Sequence, residues 1–369
     1  MKDFYSERRK RVSSLLEREG IYLLVLCDRE GMRNSNIRYL TGHPSDAVLF
    51  IFSTGKSILL PWDINLAEKM AFCDSVRPYN SYGRDLYRAV MGIIEEEKPE
   101  KGAVIELPGL IPYPEFLKYA ACTEYRFICR EADFDSRIKK MRRVKDESEI
   151  RILREGALIT DSIIKKIEKC IGSGDVTEAD IALLIDREAR VAGAEGLGFE
   201  TLVAGPSRSN NIHAFPSYTG LPFPGEGLSI IDFGVKKDGY TTDVTLTVTR
   251  SLTKEQQHMT DIIEQAVKIA EKGIYPGASI NDLASSVSNF IKVNGYEMPH
   301  SLGHGIGLDI HEMPFLGRRD EDTKMEAGMI FTIEPGIYTP ESGGIRLEND
   351  YLVTKQGFER ITNSRIIRL

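Results

Sequence analysis

A chain of 369 residues exceeds the usual size of one hydrophobic core, and 41% hydrophobic with 28% charged residues is an ordinary globular balance, so two folded domains are expected. Lys plus Arg number 48 against 55 for Asp plus Glu, and the net charge of −7 argues against nucleic acid as a partner. There is no apolar run of about 18 residues, the opening MKDFYSERRK lacks a signal-peptide core, and the five cysteines are widely spaced without a CxxC, which argues against a membrane span and for reduced thiols in a cytoplasm.

The N-terminal portion alternates apolar segments (IYLLVLC, DAVLFIF, KSILLP, GAVIEL) with helical stretches at YSERRKRVSSLLEREG and DLYRAVMGIIEEEK. That rhythm predicts a small α/β domain with a mixed sheet. Near DFDSRIKKMRRVKDESEI the pattern changes, and Lys139, Lys140, Arg142, Arg143 and Lys145 read as a solvated linker and a charged helix start rather than a nucleic-acid patch. The domain boundary is placed there, giving residues 1–138 and 139–369. Beyond it, Ile150, Leu153, Ala157, Ile164 and Ile167 have helical spacing, Thr177 with Asp180 reads as a capping pair, and Thr253 and Ser279 open two further helices.

LSIIDFG then reads as a buried strand, KKDG as a turn and YTTDVTLTVT as an alternating strand. If Lys236 to Gly239 form a four-residue loop, Val235 pairs with Tyr240 and Asp232 falls opposite Asp243, about 4.5–5.5 Å apart at Cβ. The period of two places Asp243, Thr245, Thr247 and Thr249 on a polar face, with Val244, Leu246 and Val248 toward a core. HSLGHGIGLDIHEMP concentrates His300, His304 and His311, and Gly303, Gly305 and Gly307 permit close backbone approach and positive φ, so that the loop can deliver His304 to a metal. His300 and His311 can hold or transfer a proton beside it, and His213 in SNNIHAFPSY sits on a loop of its own. Thr332 and Glu334 share one side of MIFTIEPGIY. In GGIRLENDYLV, Arg346, Glu348 and Asp350 share a face opposite Ile345 and Leu347.

Asp232, Asp243, Glu334 and Glu348 converging on one cavity would repel one another unless cations sat between them. An oxygen-rich donor set with one imidazole and no thiolate suits Mn, Co, Fe or Zn. The reaction to expect is metal-assisted hydrolysis, in which coordination brings the pKa of water down toward about 7.

The order Asp, Asp, His, Glu, Glu, the eleven-residue step between the aspartates, the GHGIG histidine and the RLE strand resemble the pita-bread metallopeptidases (M24). That family includes Xaa-Pro aminopeptidases, prolidases, methionine aminopeptidases and the metal-free creatinase. The likeness covers roughly residues 145–369, and around NSNIRYLTG the first 135 residues are similar to a creatinase-type N-terminal domain. The resemblance implies an α/β (α+β) fold, with a small mixed-sheet domain followed by a pita-bread catalytic domain. It implies two divalent metal ions, manganese foremost with Co, Zn or Fe as alternatives, held by Asp232, Asp243, His304, Glu334 and Glu348, with Asp243 and Glu348 bridging. His213, His300, His311 and Arg346 resemble the set that binds substrate, stabilises the intermediate and orients Glu348, while Glu334 manages the proton and His311 the oxyanion. The substrate's free amine would lie near a metal, which limits cleavage to the first peptide bond of small peptides with proline second.

The extra N-terminal domain points to the Xaa-Pro branch rather than to methionine aminopeptidases. Prolidases often carry a basic residue shortly after the HE dipeptide, whereas HEMPFLGRR places Phe315 there and Arg318 and Arg319 further on; the family's TRT is also replaced by Thr245-Leu246-Thr247. These departures favour an Xaa-Pro aminopeptidase P-like activity, with Xaa-Pro dipeptidase as the alternative. A pita-bread module kept only for protein binding would be expected to show eroded ligands, and all five are present. The family also implies a homodimer, in which the loop of NIRYLTGHPSD, with His43 and Asp46, borders the other chain's site.

Overall fold

The computed structural model describes residues 2–130, 133–172, 174, 176–317 and 323–369. It divides the chain into two compact units, Met1–Arg142 and Arg143–Leu369. Position 138 falls inside the helix Phe134–Arg142, and the units part at that helix's end.

The N-terminal unit is a six-stranded mixed sheet of β1 (Ile21–Asp28), β2 (Ala47–Phe52), β3 (Ser57–Pro61), β4 (Ser75–Val76), β5 (Val104–Glu106) and β6 (Arg126–Ile128), in the order β4-β3-β2-β1-β5-β6. β1, β2 and β3 pair antiparallel, and β4, β5 and β6 join in parallel. Every residue of β2 and β3 is buried, which explains why these segments are continuous apolar runs rather than alternating ones. The helix Leu86–Glu97 lays Ala89, Val90 and Ile93 against Leu23, Val25 and Phe50. Helix α1 (Lys2–Arg18) buries Val12 and Leu16.

NSNIRYLTG folds as helix α2 (Ser35–Thr41), capped by the Asn34 side chain and ended by Gly42 at φ +79°. Asp135 accepts from Asn34 Nδ2 at 2.8 Å and Asn36 Nδ2 at 2.9 Å, and Arg142 Nη1 donates to Asn36 Oδ1 at 3.0 Å. His43, expected to face a partner chain, is instead wholly buried just beyond α2. Asp46 is half-buried, pairs with Arg33 and accepts from the Glu30 backbone.

The C-terminal unit is built around two larger sheets, each backed by a pair of helices, with three smaller sheets beside them among the described residues. Ile366–Arg368, Val244–Arg250, Gly227–Phe233 and Leu202–Ala204 lie side by side in one sheet. The helices Glu147–Gly172 and Glu178–Val191 cover it, with Ile163, Ile164, Ile167, Ile181 and Ile185 against Ile231, Phe233, Val244, Leu246 and Val248. In the second sheet Glu312–Leu316, Gly303–Gly305, Ile330–Ile333, Asn349–Thr354 and Gly357–Arg360 follow one another, and a separate hairpin pairs Gly336–Thr339 with Gly343–Arg346. The helices Lys254–Lys272 and Ile280–Val293 pack Ile263, Ala266, Val287 and Ile291 against Phe331, Ile333, Ile345, Tyr351 and Val353. Both capping boxes, Thr177 with Asp180 and Thr253 with Gln256, are formed, and Ser279 caps the last helix.

The hairpin register differs from the expected one. Asp238 at φ +46° and Gly239 at φ +90° form a two-residue turn, so Lys237 pairs with Tyr240 and Asp232 lies opposite Thr245, two places beyond Asp243. The physical reason is that two successive positive-φ residues make the turn whose twist matches that of paired strands, which the longer loop would not. A shift of two keeps the parity, so both aspartates still face the same way.

Candidate active site

One cavity of about 640 Å³ in the C-terminal unit is lined by all nine residues singled out from the sequence: Asp232, Asp243, His304, Glu334, Glu348, His213, His300, His311 and Arg346. The chain delivers them from the ends and breaks of strands. Asp232 is next to last in Gly227–Phe233, Asp243 immediately precedes Val244–Arg250, Glu334 immediately follows Ile330–Ile333, and Glu348 sits between two strands in a single pairing with Thr245. His304 is the centre of the short strand Gly303–Gly305. Close approach requires its two glycines, since a Cβ on Gly303 would strike the Thr332 backbone and one on Gly305 the Met313 backbone, and a Cβ on Gly307 would meet the Glu312 carboxylate. None of the three has positive φ, so only the packing half of the expectation describes them.

Donor atoms of Asp243, His304 and Glu348 all lie within 4.8 Å of one another. His304 Nε2 stands 3.6 Å from Asp243 Oδ2 and 3.6 Å from Glu334 Oε1. Asp232 gives Oδ2 to Arg346 Nη2 at 2.6 Å, and its Oδ1 is buried without a hydrogen-bond partner. A buried orphan carboxylate oxygen beside three converging donors is what a cation would complete, so this donor set fits divalent metal.

Arg346 is held by four side-chain hydrogen bonds within this site. Besides Asp232 it donates to Tyr338 Oη at 2.8 Å, to Thr245 Oγ1 at 2.9 Å and to the Ile212 carbonyl at 3.3 Å, so it meets Glu348 through Thr245. His300 Nδ1 faces the Ser301 carbonyl at 2.8 Å, which can only accept; Nε2 therefore receives the Tyr338 hydroxyl proton at 3.1 Å. Tyr338 was not among the sequence candidates, although it keeps the alternation of Glu334 and Gly336, which is the signal that could have found it. Asp350 accepts from the Asp243 backbone at 3.1 Å, and Phe199 and Glu200 also line the cavity.

The electrostatics show a shortage of positive charge. Burial, then the nearby carboxylates, hold Asp243 well above the usual carboxylate range, with Glu348 its largest neighbour. Glu334 is raised well above its usual value by burial and then Glu348, and Glu348 is pushed up to about 7 by burial and then Asp232. Asp232 is raised by burial, with Arg346 acting against the shift. Burial lowers His300 and His304 to about 4, so both rings are neutral near pH 7 and His304 is available as a ligand.

Residues 151–355 match the model of metallopeptidase family M24, and residues 8–144 match that of the creatinase/prolidase N-terminal domain. The chain belongs to family M24. It is 31% identical to the Xaa-Pro dipeptidase of Pyrococcus horikoshii over 98% of each chain. Among solved structures it is similar to an X-Pro aminopeptidase from Thermotoga maritima, with a TM-score of 0.84, 27% identity and coverage of 98% of this chain and 99% of that one. It is similar as well to an Xaa-Pro dipeptidase from Bacillus anthracis, with a TM-score of 0.85, 26% identity and coverage of 99% and 100%. This M24 peptidase thus has the pita-bread catalytic fold with a creatinase-type N-terminal domain.

Proposed function

We propose that this M24 peptidase hydrolyses the peptide bond between an N-terminal residue and a following proline, and that it prefers peptides longer than two residues. Asp232, Asp243, His304, Glu334 and Glu348 would hold two divalent ions, manganese first among those to test, which supply Lewis acidity and a water acidified toward neutral pH. Glu334, at the edge of the same cavity, would take up the proton released on attack and return it to the leaving amine. His311, its ring centroid 4.2 Å from that of His304, donates to the developing oxyanion. His213 and His300 border the same space and orient the substrate, with His300 held as the Nδ1–H tautomer by Ser301 and Tyr338. Phe199, Leu202, Ile310 and Phe315 give the cavity an apolar wall suited to a proline ring.

The length preference is carried by Phe315, which pairs with His304 across the strands and lines the cavity. Among the described residues of that lining, Arg346 is the sole Arg or Lys, and four of its five N–H donors are taken by Asp232, Tyr338, Thr245 and the Ile212 carbonyl. A dipeptide's carboxylate therefore finds little charge-assisted support there, whereas a longer peptide presents an amide. Arg318 and Arg319 lie outside the described residues. The names of the Pyrococcus horikoshii and Bacillus anthracis relatives favour the second reading, a dipeptidase. Comparing kcat/KM for Ala-Pro and Ala-Pro-Ala after chelation and reloading with Mn, Co or Zn tests both. A dipeptide turned over well ahead of the tripeptide would return the chain to the second reading, and turnover of neither would remove both.

A further inference from the structure

Thr245 and Thr332 lie on strands of the two different sheets, and both are wholly buried. The Thr245 hydroxyl accepts from Arg346 Nε at 2.9 Å and lies 2.7 Å from Glu348 Oε2. The Thr332 hydroxyl accepts from the His304 backbone N at 3.2 Å. A guanidinium Nε–H can only donate and a hydroxyl has one proton, so the Thr245 hydroxyl proton is directed at Glu348. Thr245 grips the same residue again through its carbonyl, which accepts from Glu348 N at 3.2 Å.

We propose that Thr245 is a positioning residue that holds Glu348, by carboxylate and by backbone, in the orientation a metal ligand at this site needs. The inference rests on the metal-site reading above. The Thr245 hydroxyl ties Glu348 by way of Arg346 to Asp232, whereas Thr332 supports the segment carrying His304. Loss of such a supporting hydrogen bond to a ligand's carboxylate weakens metal affinity roughly ten- to a hundredfold. Neither threonine is among the residues lining the cavity, so neither contacts substrate there.

Metal-stripped wild-type protein, Thr245→Val and Thr245→Ser would be titrated with Mn²⁺ by calorimetry, with KM and kcat measured on Ala-Pro-Ala. Valine keeps the shape and removes the oxygen; serine keeps the oxygen. The expected result is a roughly ten- to hundredfold loss of affinity for at least one ion in the valine variant, near-native affinity in the serine variant, and a KM that stays near the wild-type value at saturating Mn²⁺. A valine variant that binds metal as wild type does, or a serine variant that loses as much as valine, would overturn the proposal. Where the valine variant does not fold, the alanine variant is compared with serine on the same readout. Wild-type protein that binds no divalent ion would remove the metal-site reading as well, whereas a metal-binding wild type with indifferent variants removes only the role of Thr245.

Discussion

The two units bury charge in opposite ways. In the N-terminal unit, Asp135 accepts from the amides of Asn34 and Asn36, and Asn36 accepts from Arg142, so each of these polar side chains is partnered. In the C-terminal unit, Asp232, Asp243, Glu334 and Glu348 share one cavity whose described lining holds a single guanidinium, and Asp232 Oδ1 and Asp350 Oδ1 are buried without hydrogen-bond partners. A partnered donor–acceptor cluster needs nothing further, while a cluster short of positive charge is a binding site for cations. The contrast therefore separates a structural polar cluster from a chemical one without reference to any relative.

Removing a carboxylate from the charge-poor cluster is the most direct way to break the comparison. Asp243→Ala or Glu348→Ala should cost roughly a thousandfold or more in kcat/KM, several kcal/mol at about 1.4 kcal/mol per decade, with loss of bound metal by elemental analysis. Variants that keep both their metal and their activity would show that the cavity is not the metal centre.

The raised carboxyls also make metal uptake pH-dependent. Glu348, Asp243 and Glu334 must lose protons to bind a cation, while His300 and His304, lowered to about 4, are already neutral near pH 7. Affinity for Mn²⁺ should therefore fall as pH drops through about 7, by up to roughly tenfold per pH unit for each proton released. Calorimetry at pH 6 and pH 8 in buffers of different ionisation enthalpy measures that release, and no buffer dependence would contradict it.

Adding a cation at the cavity wall sharpens the length preference. Phe315→Arg should raise kcat/KM for Ala-Pro relative to Ala-Pro-Ala by about tenfold, since a charge-assisted hydrogen bond contributes roughly 1.5–3 kcal/mol. An unchanged ratio would place the substrate's terminus elsewhere.

The smallest effect belongs to the partnered cluster. Asp135→Asn keeps an oxygen for the Asn34 and Asn36 amides, so it should cost only about 1 kcal/mol, a Tm shift of about 2–4 °C, with metal content and kcat/KM untouched. A loss of metal in that variant would erase the distinction between the two clusters.

Local pattern carried much of this protein. Continuous apolar runs marked β1, β2 and β3, capping pairs marked three helix starts, and alternation told which side of each strand Asp243, Thr332, Arg346 and Glu348 occupy. These features depend on residues a few positions apart, so one sequence displays them. Tertiary structure alone decided how the marked faces meet. The turn at Asp238 and Gly239 moved the register by two, Arg346 reached Glu348 through Thr245, Tyr338 joined His300 to Arg346, and His43 went into the interior. Each of these outcomes joins parts of the chain through backbone geometry or packing that no short-range period encodes. Alternation determines which way a side chain points, and only the assembled sheets determine what it finds there.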